Sequence, residues 1–352
     1  MEPDSAANLN PTPHRRRPRY RGTHPRRFEE RYKELQPGKF PEIQQHIREQ
    51  GRTPAGTHVP IMVAEVMDCL SAQPGEVVVD CTVGYGGHAG EFIQRIGPAG
   101  KLIGLDVDAE QLARTRDRLD ATGGNVALYH MNFAGVAKAL KLEGLADCDV
   151  IFADLGASSM QLDDPTRGFS YKHDGPLDMR MDKRAKRTAA DLLAEMSFED
   201  LAAELRDLSD EPAAEAIAEA IMRRRERRPI RRTTELVDVV LSVTGRPAAS
   251  TGLPTLHPAA RTFQTLRILV NDELGQLREL LRVAPFCLRA GGRIAILTFH
   301  SGEERLVEQA FREGVDSGLY GGATNDEGVR PGPAEVRDNP RAKSARLRWA
   351  RK

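Results

Sequence analysis

Asp80-Cys81-Thr82-Val83-Gly84-Tyr85-Gly86-Gly87-His88 is the stretch on which the fold turns. It follows Val77-Val78-Val79, an apolar run that reads as a buried strand, and leads into a helical pattern around Gly90 to Ile96. Glycines between a strand and a helix let the backbone turn sharply and approach a ligand closely. Twenty residues after Gly86 lies Asp106, ending the next apolar run, Leu102 to Leu105. An acid there reaches ribose hydroxyls, because neighbouring parallel strands end side by side. A plain tight turn with Asp106 as a helix cap would use the same residues, but the strand–turn–helix context favours a nucleoside site.

Outward from this stretch, strand and helix alternate. A helix is expected from about Ala109 to Leu119, a strand over Val126 to His130, a helix over Val136 to Leu142 and a strand over Asp149 to Ala153. Upstream, Val59 to Leu70 reads as a short amphipathic helix. The spacing predicts a parallel, doubly wound sheet. After about Gly168 the alternation stops: Ala189 to Arg225 reads as helical throughout, Thr233 to Val243 as another helix and Gly245 to Pro258 as a loop. It resumes with one long helix, Thr262 to Val283, and a buried strand, Arg293 to Phe299. Glycine and proline then predict a long loop up to about Pro340, before a last, edge strand over Ser344 to Trp349. The expected architecture is α/β. A Rossmann-like domain (56–168 and 262–352) is split by an all-helical insertion (169–261) and preceded by a disordered basic extension (1–55).

The 352 residues carry 51 basic and 51 acidic side chains, with 40% hydrophobic residues and a mean hydropathy of −0.47. No apolar run approaches the roughly 20 residues of a membrane span. Cys69, Cys81, Cys148 and Cys287 form no CxxC pair, which argues against a structural zinc or a disulfide framework and fits a cytoplasmic location. The zero net charge conceals segregation. His14 to Phe28 holds seven arginines and no acid, Arg223 to Arg232 seven arginines and one acid, and Arg341 to Lys352 six basic residues and no acid. Any one block can be a solvated face; three in a neutral chain point to a polyanionic partner.

The turn is formally compatible with a dinucleotide fingerprint, Gly84-x-Gly86-x-x-Ala89. An NAD pyrophosphate, however, would be repelled by the Asp80 carboxylate at the end of the first strand. The Asp-x-x-x-Gly-x-Gly form resembles the first motif of S-adenosylmethionine (AdoMet)-dependent methyltransferases, in which the acid suits the cationic methionine end of the cofactor.

Further segments are more specific. His58-Val59-Pro60-Ile61 precedes the first strand, and Asp154-Leu155-Gly156-Ala157-Ser158-Ser159-Met160-Gln161-Leu162-Asp163-Asp164 follows the fourth. Then come Arg167-Gly168-Phe169-Ser170-Tyr171, Asp174-Gly175-Pro176-Leu177-Asp178-Met179-Arg180-Met181, His257-Pro258-Ala259-Ala260-Arg261-Thr262-Phe263-Gln264, Phe299-His300-Ser301 and Asn339-Pro340-Arg341-Ala342. In this order they closely resemble the RsmH (MraW) family, over about Thr57 to Lys352. That family methylates the N4 amine of a cytidine in small-subunit (16S) ribosomal RNA.

The resemblance implies a Rossmann-like class I AdoMet-dependent methyltransferase acting on small-subunit ribosomal RNA or the assembled small subunit, with the choice between monomer and homodimer open. It implies that Gly86, Gly87, His88, Asp106, Phe133, Asp154 and Gln161 contact AdoMet. The cytosine amine lone pair is delocalised, so acceptors that hold its hydrogens out of plane would assist transfer. Asp154, with Ser158 or Ser159, is the expected source, and His300 is a second candidate. Arg167, Arg180, Arg261, Arg223, Arg224 and Arg341 are expected phosphate contacts. One departure stands out: where the family commonly has a basic, glycine-containing helix, Ser209 to Ile221 is largely acidic. An NAD-dependent oxidoreductase on the same fold, or a non-catalytic RNA-binding assembly factor, are the rival readings.

Overall fold

The computed structural model describes residues 60–245 and 256–352. The expected basic extension, and most of the loop expected at Gly245 to Pro258, lie outside the described residues.

Chain order begins α1 (Val63–Leu70), β1 (Val77–Asp80), α2 (Gly87–Ile96), β2 (Lys101–Asp106), α3 (Ala109–Asp120), β3 (Val126–His130), α4 (Val136–Leu142), β4 (Cys148–Asp154) and α5 (Ser159–Asp163). The helical insertion follows as α6 (Ala189–Glu195), α7 (Phe198–Ser209), α8 (Ala214–Arg227) and α9 (Thr233–Thr244). The chain returns through α10 (Ala260–Asn271), α11 (Glu273–Cys287), β5 (Leu288–Thr298), α12 (Ser301–Asp316), β6 (Gly322–Ala323), α13 (Pro333–Asp338) and β7 (Arg346–Arg351).

The seven strands form one sheet in the order β3-β2-β1-β4-β5-β7-β6. β1 to β5 are parallel, and β7 pairs antiparallel with β5 and β6. Near-continuous apolar strands suit this, because helices cover both faces. One face packs Val79, Ile103, Ile151 and Ile296 against α4 and α11, and the other packs Val78, Leu102, Phe152 and Leu297 against α1 and α2. This is the α/β, doubly wound arrangement expected from the sequence, and it brings the ends of β1, β2, β4 and β5 to one edge. A third apolar cluster joins Phe169, Leu193, Leu205, Ile217, Ile221 and Val240, with Phe263 and Leu266 of α10.

Three expectations are corrected. The helix expected over Ala189 to Arg225 is three helices: Ser197 caps the start of α7, and Asp210 (φ +51°) followed by Pro212 breaks the chain before α8. The long helix at Thr262 to Val283 is broken at Asp272 (φ +49°). There the Asn271 side chain accepts from Met181 N at 2.7 Å and donates to Met179 O at 2.9 Å, clamping the end of α10 to the insertion's lead-in. Apolar periodicity carries no trace of such a clamp. The last strand is not the edge, because β6, inside the expected loop, pairs outside it.

Candidate active site

The glycine turn is fastened on both sides. Cys81 N donates to Phe152 O of β4 at 2.8 Å, and Val83 N to Leu105 O of β2 at 2.9 Å. Gly84 (φ +48°) donates its N–H to Asp106 Oδ2 at 2.8 Å, while Asp106 Oδ1 accepts from Asp108 N at 2.8 Å. Gly86 (φ +78°) caps α2, and a Cβ there would meet Thr115 Cγ2 at 3.0 Å and Leu119 Cδ2 at 3.3 Å. A Cβ on Gly87 would stand 3.0 Å from Pro60 Cγ. A side chain on either glycine would therefore displace the turn from its neighbours.

Around the turn stand three carboxylates. Asp80 is 1% exposed, and its Oδ1 accepts from Thr82 N at 3.1 Å. The Thr82 hydroxyl in turn accepts from Asp154 N at 2.6 Å, tying the ends of β1 and β4. Burial pushes Asp80 up to about 7, against the Thr82 hydrogen bond, with Asp106 adding repulsion. Burial raises Asp106 to about 6, and it raises Asp154 to about 8 with help from Asp80 and Glu303. Among the described residues, none of the three is ion-paired to lysine or arginine. Three carboxylates whose proton affinity is raised by burial and by neighbouring acids suit a cation, because a positive ligand relieves both their repulsion and their desolvation. The sulfonium and ammonium of AdoMet match that demand, and the residues present fit the cofactor.

His88 is buried against Phe152, with ring centroids 4.6 Å apart; its Nε2 lies 3.0 Å from Ile61 O and its Nδ1 3.9 Å from Asp154 Oδ2. Phe133 follows β3, half-buried against the core on the same edge. Gln161 closes a capping box: its Oε1 accepts from Ser158 N at 3.0 Å, and its Nε2 donates to Asp108 Oδ2 at 3.1 Å. Both ends of the Gln161 amide are thus engaged with the protein. The Ser158 hydroxyl, expected as an acceptor for the amine, accepts from Gln161 N and from Gln111 Nε2 at 2.9 Å. Ser159 opens α5, half-buried.

His300, the second candidate, stands at the start of α12. It is the N-cap of α12, with Nδ1 accepting from Glu303 N at 3.4 Å and Nε2 3.2 Å from Glu303 Oε1. Glu303 Oε2 accepts from Phe299 N at 2.8 Å. Burial would raise Glu303, but His300, Arg267 and the Phe299 N–H outweigh it and hold the carboxyl below its usual range. Glu273, His300 and Glu303 place ligand atoms within 4.8 Å of one another. Arg267 already supplies the positive charge there, spanning both Glu273 oxygens at 2.8 Å.

The arginines divide. Arg167 is buried and donates to Asp108 Oδ2 at 2.8 Å and to the carbonyls of Arg180 and Met181 at 3.0 Å. Arg180 makes a bidentate contact with Asp178 and donates to Ala185 O. Both expected phosphate contacts are thus held by protein partners. Arg224 donates to Arg228 O, while Arg223 pairs with Glu219 and Arg341 with Asp163 in exposed ion pairs that are cheap to exchange. Arg261, half-buried in the first turn of α10, has no polar partner among the described residues. The acidic segment is engaged too, Glu215 with Arg206 and Asp210 with the Ser301 hydroxyl. Sequence reasoning missed Asp108, the hub for Gln111, Gln161 and Arg167; its place before Ala109 as a helix cap was the available signal.

A family model described as the MraW methylase family matches residues 55–352. The chain is 41% identical over 342 residues to "Ribosomal RNA small subunit methyltransferase H 1" of Lachnoclostridium phytofermentans, covering 96% of this chain and 93% of the relative. It is 44% identical over 315 residues to "Ribosomal RNA small subunit methyltransferase H" of Acidothermus cellulolyticus, covering 85% and 94%. To the protein of that name from Symbiobacterium thermophilum it is 43% identical over 305 residues, covering 83% and 95%.

Proposed function

The chain belongs to the MraW methylase family, and on that premise we propose that it methylates the N4 amine of a cytidine in small-subunit ribosomal RNA, with AdoMet as donor. The observation that carries the reading is the cluster of Asp80, Asp106 and Asp154 around the glycine turn, without a lysine or arginine counter-charge among the described residues. It favours a cationic cofactor over the pyrophosphate of NAD, which these charges would repel.

AdoMet, when bound, supplies an electrophilic methyl whose sulfur leaves as a neutral thioether. The chain's task is to position the amine in line and to receive a proton. Asp106, fixed by the Gly84 and Asp108 N–H groups, would hold the ribose hydroxyls. Asp154 at the tip of β4 is the acceptor for the amine hydrogens, and its raised proton affinity lets it take the proton released as the carbon–nitrogen bond forms. The target base must leave its stack to reach this edge, and the helical insertion forms the wall beside it.

The test is transfer of labelled methyl from AdoMet to small ribosomal subunits, followed by nucleoside analysis. Label in N4-methylcytidine is the expected result. Binding of AdoMet and subunits with no transfer would favour the non-catalytic assembly-factor reading.

A further inference from the structure

Tyr171 and His257 come from opposite ends of the helical insertion, yet their rings stack with centroids 4.5 Å apart and planes 12° from parallel. Tyr171 also stands nearly perpendicular to Phe263 of α10, at 5.9 Å and 84°. Both Tyr171 and His257 remain half-buried, so the pair is not closed into the core.

His257 is held in one tautomer. Its Nδ1 accepts the backbone N–H of Ala259 at 3.2 Å, and burial lowers its proton affinity, so the ring is neutral with its proton on Nε2. That Nε2–H has no partner among the described residues, nor has the guanidinium of Arg261 four residues on. A neutral aromatic stack, a fixed N–H donor and a cation without a partner among the described residues thus lie at the start of α10.

Their position relative to the active site follows from α10. Phe263 and Arg267 are one helical turn apart, roughly 5 to 6 Å. Arg267 Nη1 lies 4.0 Å from where a Cβ on Gly156 would stand, two residues beyond Asp154. Ala157 packs in the same apolar cluster as Tyr171 and Phe263. Helix α10 and the apolar cluster that holds Ala157 thus link the pair to the loop after Asp154.

We infer that Tyr171 and His257 form a stacking platform for an unpaired nucleobase adjacent to the methylated one, with Arg261 on its phosphate. The inference rests on the proposed RNA substrate and adds a subsite to it. Stacking on aromatic faces tolerates any base, while His257 Nε2–H and Arg261 supply contacts to oxygen. The platform would hold the strand with the target base splayed toward Asp154.

The test uses the full chain with unmethylated small ribosomal subunits, and separately a short single-stranded RNA containing cytidine. Tyr171→Ala and Arg261→Ala should each raise KM for subunits about tenfold with kcat largely kept, and weaken the short RNA to a similar degree. Tyr171→Phe should restore binding, and the AdoMet affinity of all variants should match wild type by calorimetry. Should Tyr171→Ala lose AdoMet affinity or fold poorly, His257→Phe decides: it keeps the stack, removes the donor and should still bind the short RNA better than His257→Ala. Wild-type KM in folded Tyr171→Ala, or weakened subunit binding with unchanged short-RNA binding, would overturn the platform while leaving the methyltransfer reading intact. No methyl transfer by wild type would remove the reading and the platform together.

Discussion

Arg167 Nη1 lies 2.8 Å from Asp108 Oδ2, with side chains only 9% and 3% exposed. Asp108 caps α3 two residues after Asp106, while Arg167 begins the lead-in to the helical insertion. Removing one member of such a pair strands the other charge without water. Arg167→Ala should cost about 3 to 5 kcal/mol in urea unfolding. Arg167→Lys should recover only part of it, because lysine cannot also reach the Arg180 and Met181 carbonyls in a fork.

Gly86 sits at φ +78° with α3 side chains pressed against the empty Cβ position. Gly86→Ala should lose about 1 to 2 kcal/mol for the left-handed backbone alone, and displace the turn. AdoMet affinity by calorimetry should fall at least tenfold. Gly75→Ala, also at positive φ but with open space around it, should cost stability without touching affinity.

Asp154 is raised to about 8 chiefly by burial. A carboxyl raised on folding binds its proton more tightly in the folded state. Its contribution to stability is therefore complete below the ordinary value of about 4 and is lost as pH rises through about 8. Asp154→Asn stays neutral, so the ligand-free variant should show a flatter fall in Tm between about pH 4 and 8. AdoMet favours the ionised carboxylates, and its protection of the wild type should grow over the same interval.

The same substitution separates binding from chemistry. With Asp154 as acceptor for the amine hydrogens, Asp154→Asn should lower single-turnover methyl transfer by about 10²-fold or more. The AdoMet dissociation constant should move by less than tenfold. A parallel loss of both would make Asp154 a cofactor ligand instead.

Within the central arginine block, Arg227 and Arg231 have exposed side chains with no ion pair among the described residues. Arg227→Ala should weaken RNA binding at low salt and reduce the slope of affinity against salt by about one ion. Arg180→Ala, by contrast, should act through stability.

The sequence alone determined the class of fold and the address of the site. A parallel sheet covered on both faces needs near-continuous apolar strands, and only glycine fits the turn after β1, so Val77–Val79, Gly84, Gly86 and Asp106 were readable as local chemistry. The acid at Asp80 was enough to turn the choice of cofactor away from NAD. Tertiary structure decided which polar groups remain available. Arg167 and Ser158 have the right chemistry for a substrate, but Asp108 and Gln111 reach them across 59 and 47 residues of chain. The break at Asp272 and the stacking of Tyr171 on His257 belong to the same kind. Periodicity records which face of an element is apolar, whereas a hydrogen-bond partner or a stacked ring depends on where distant segments meet.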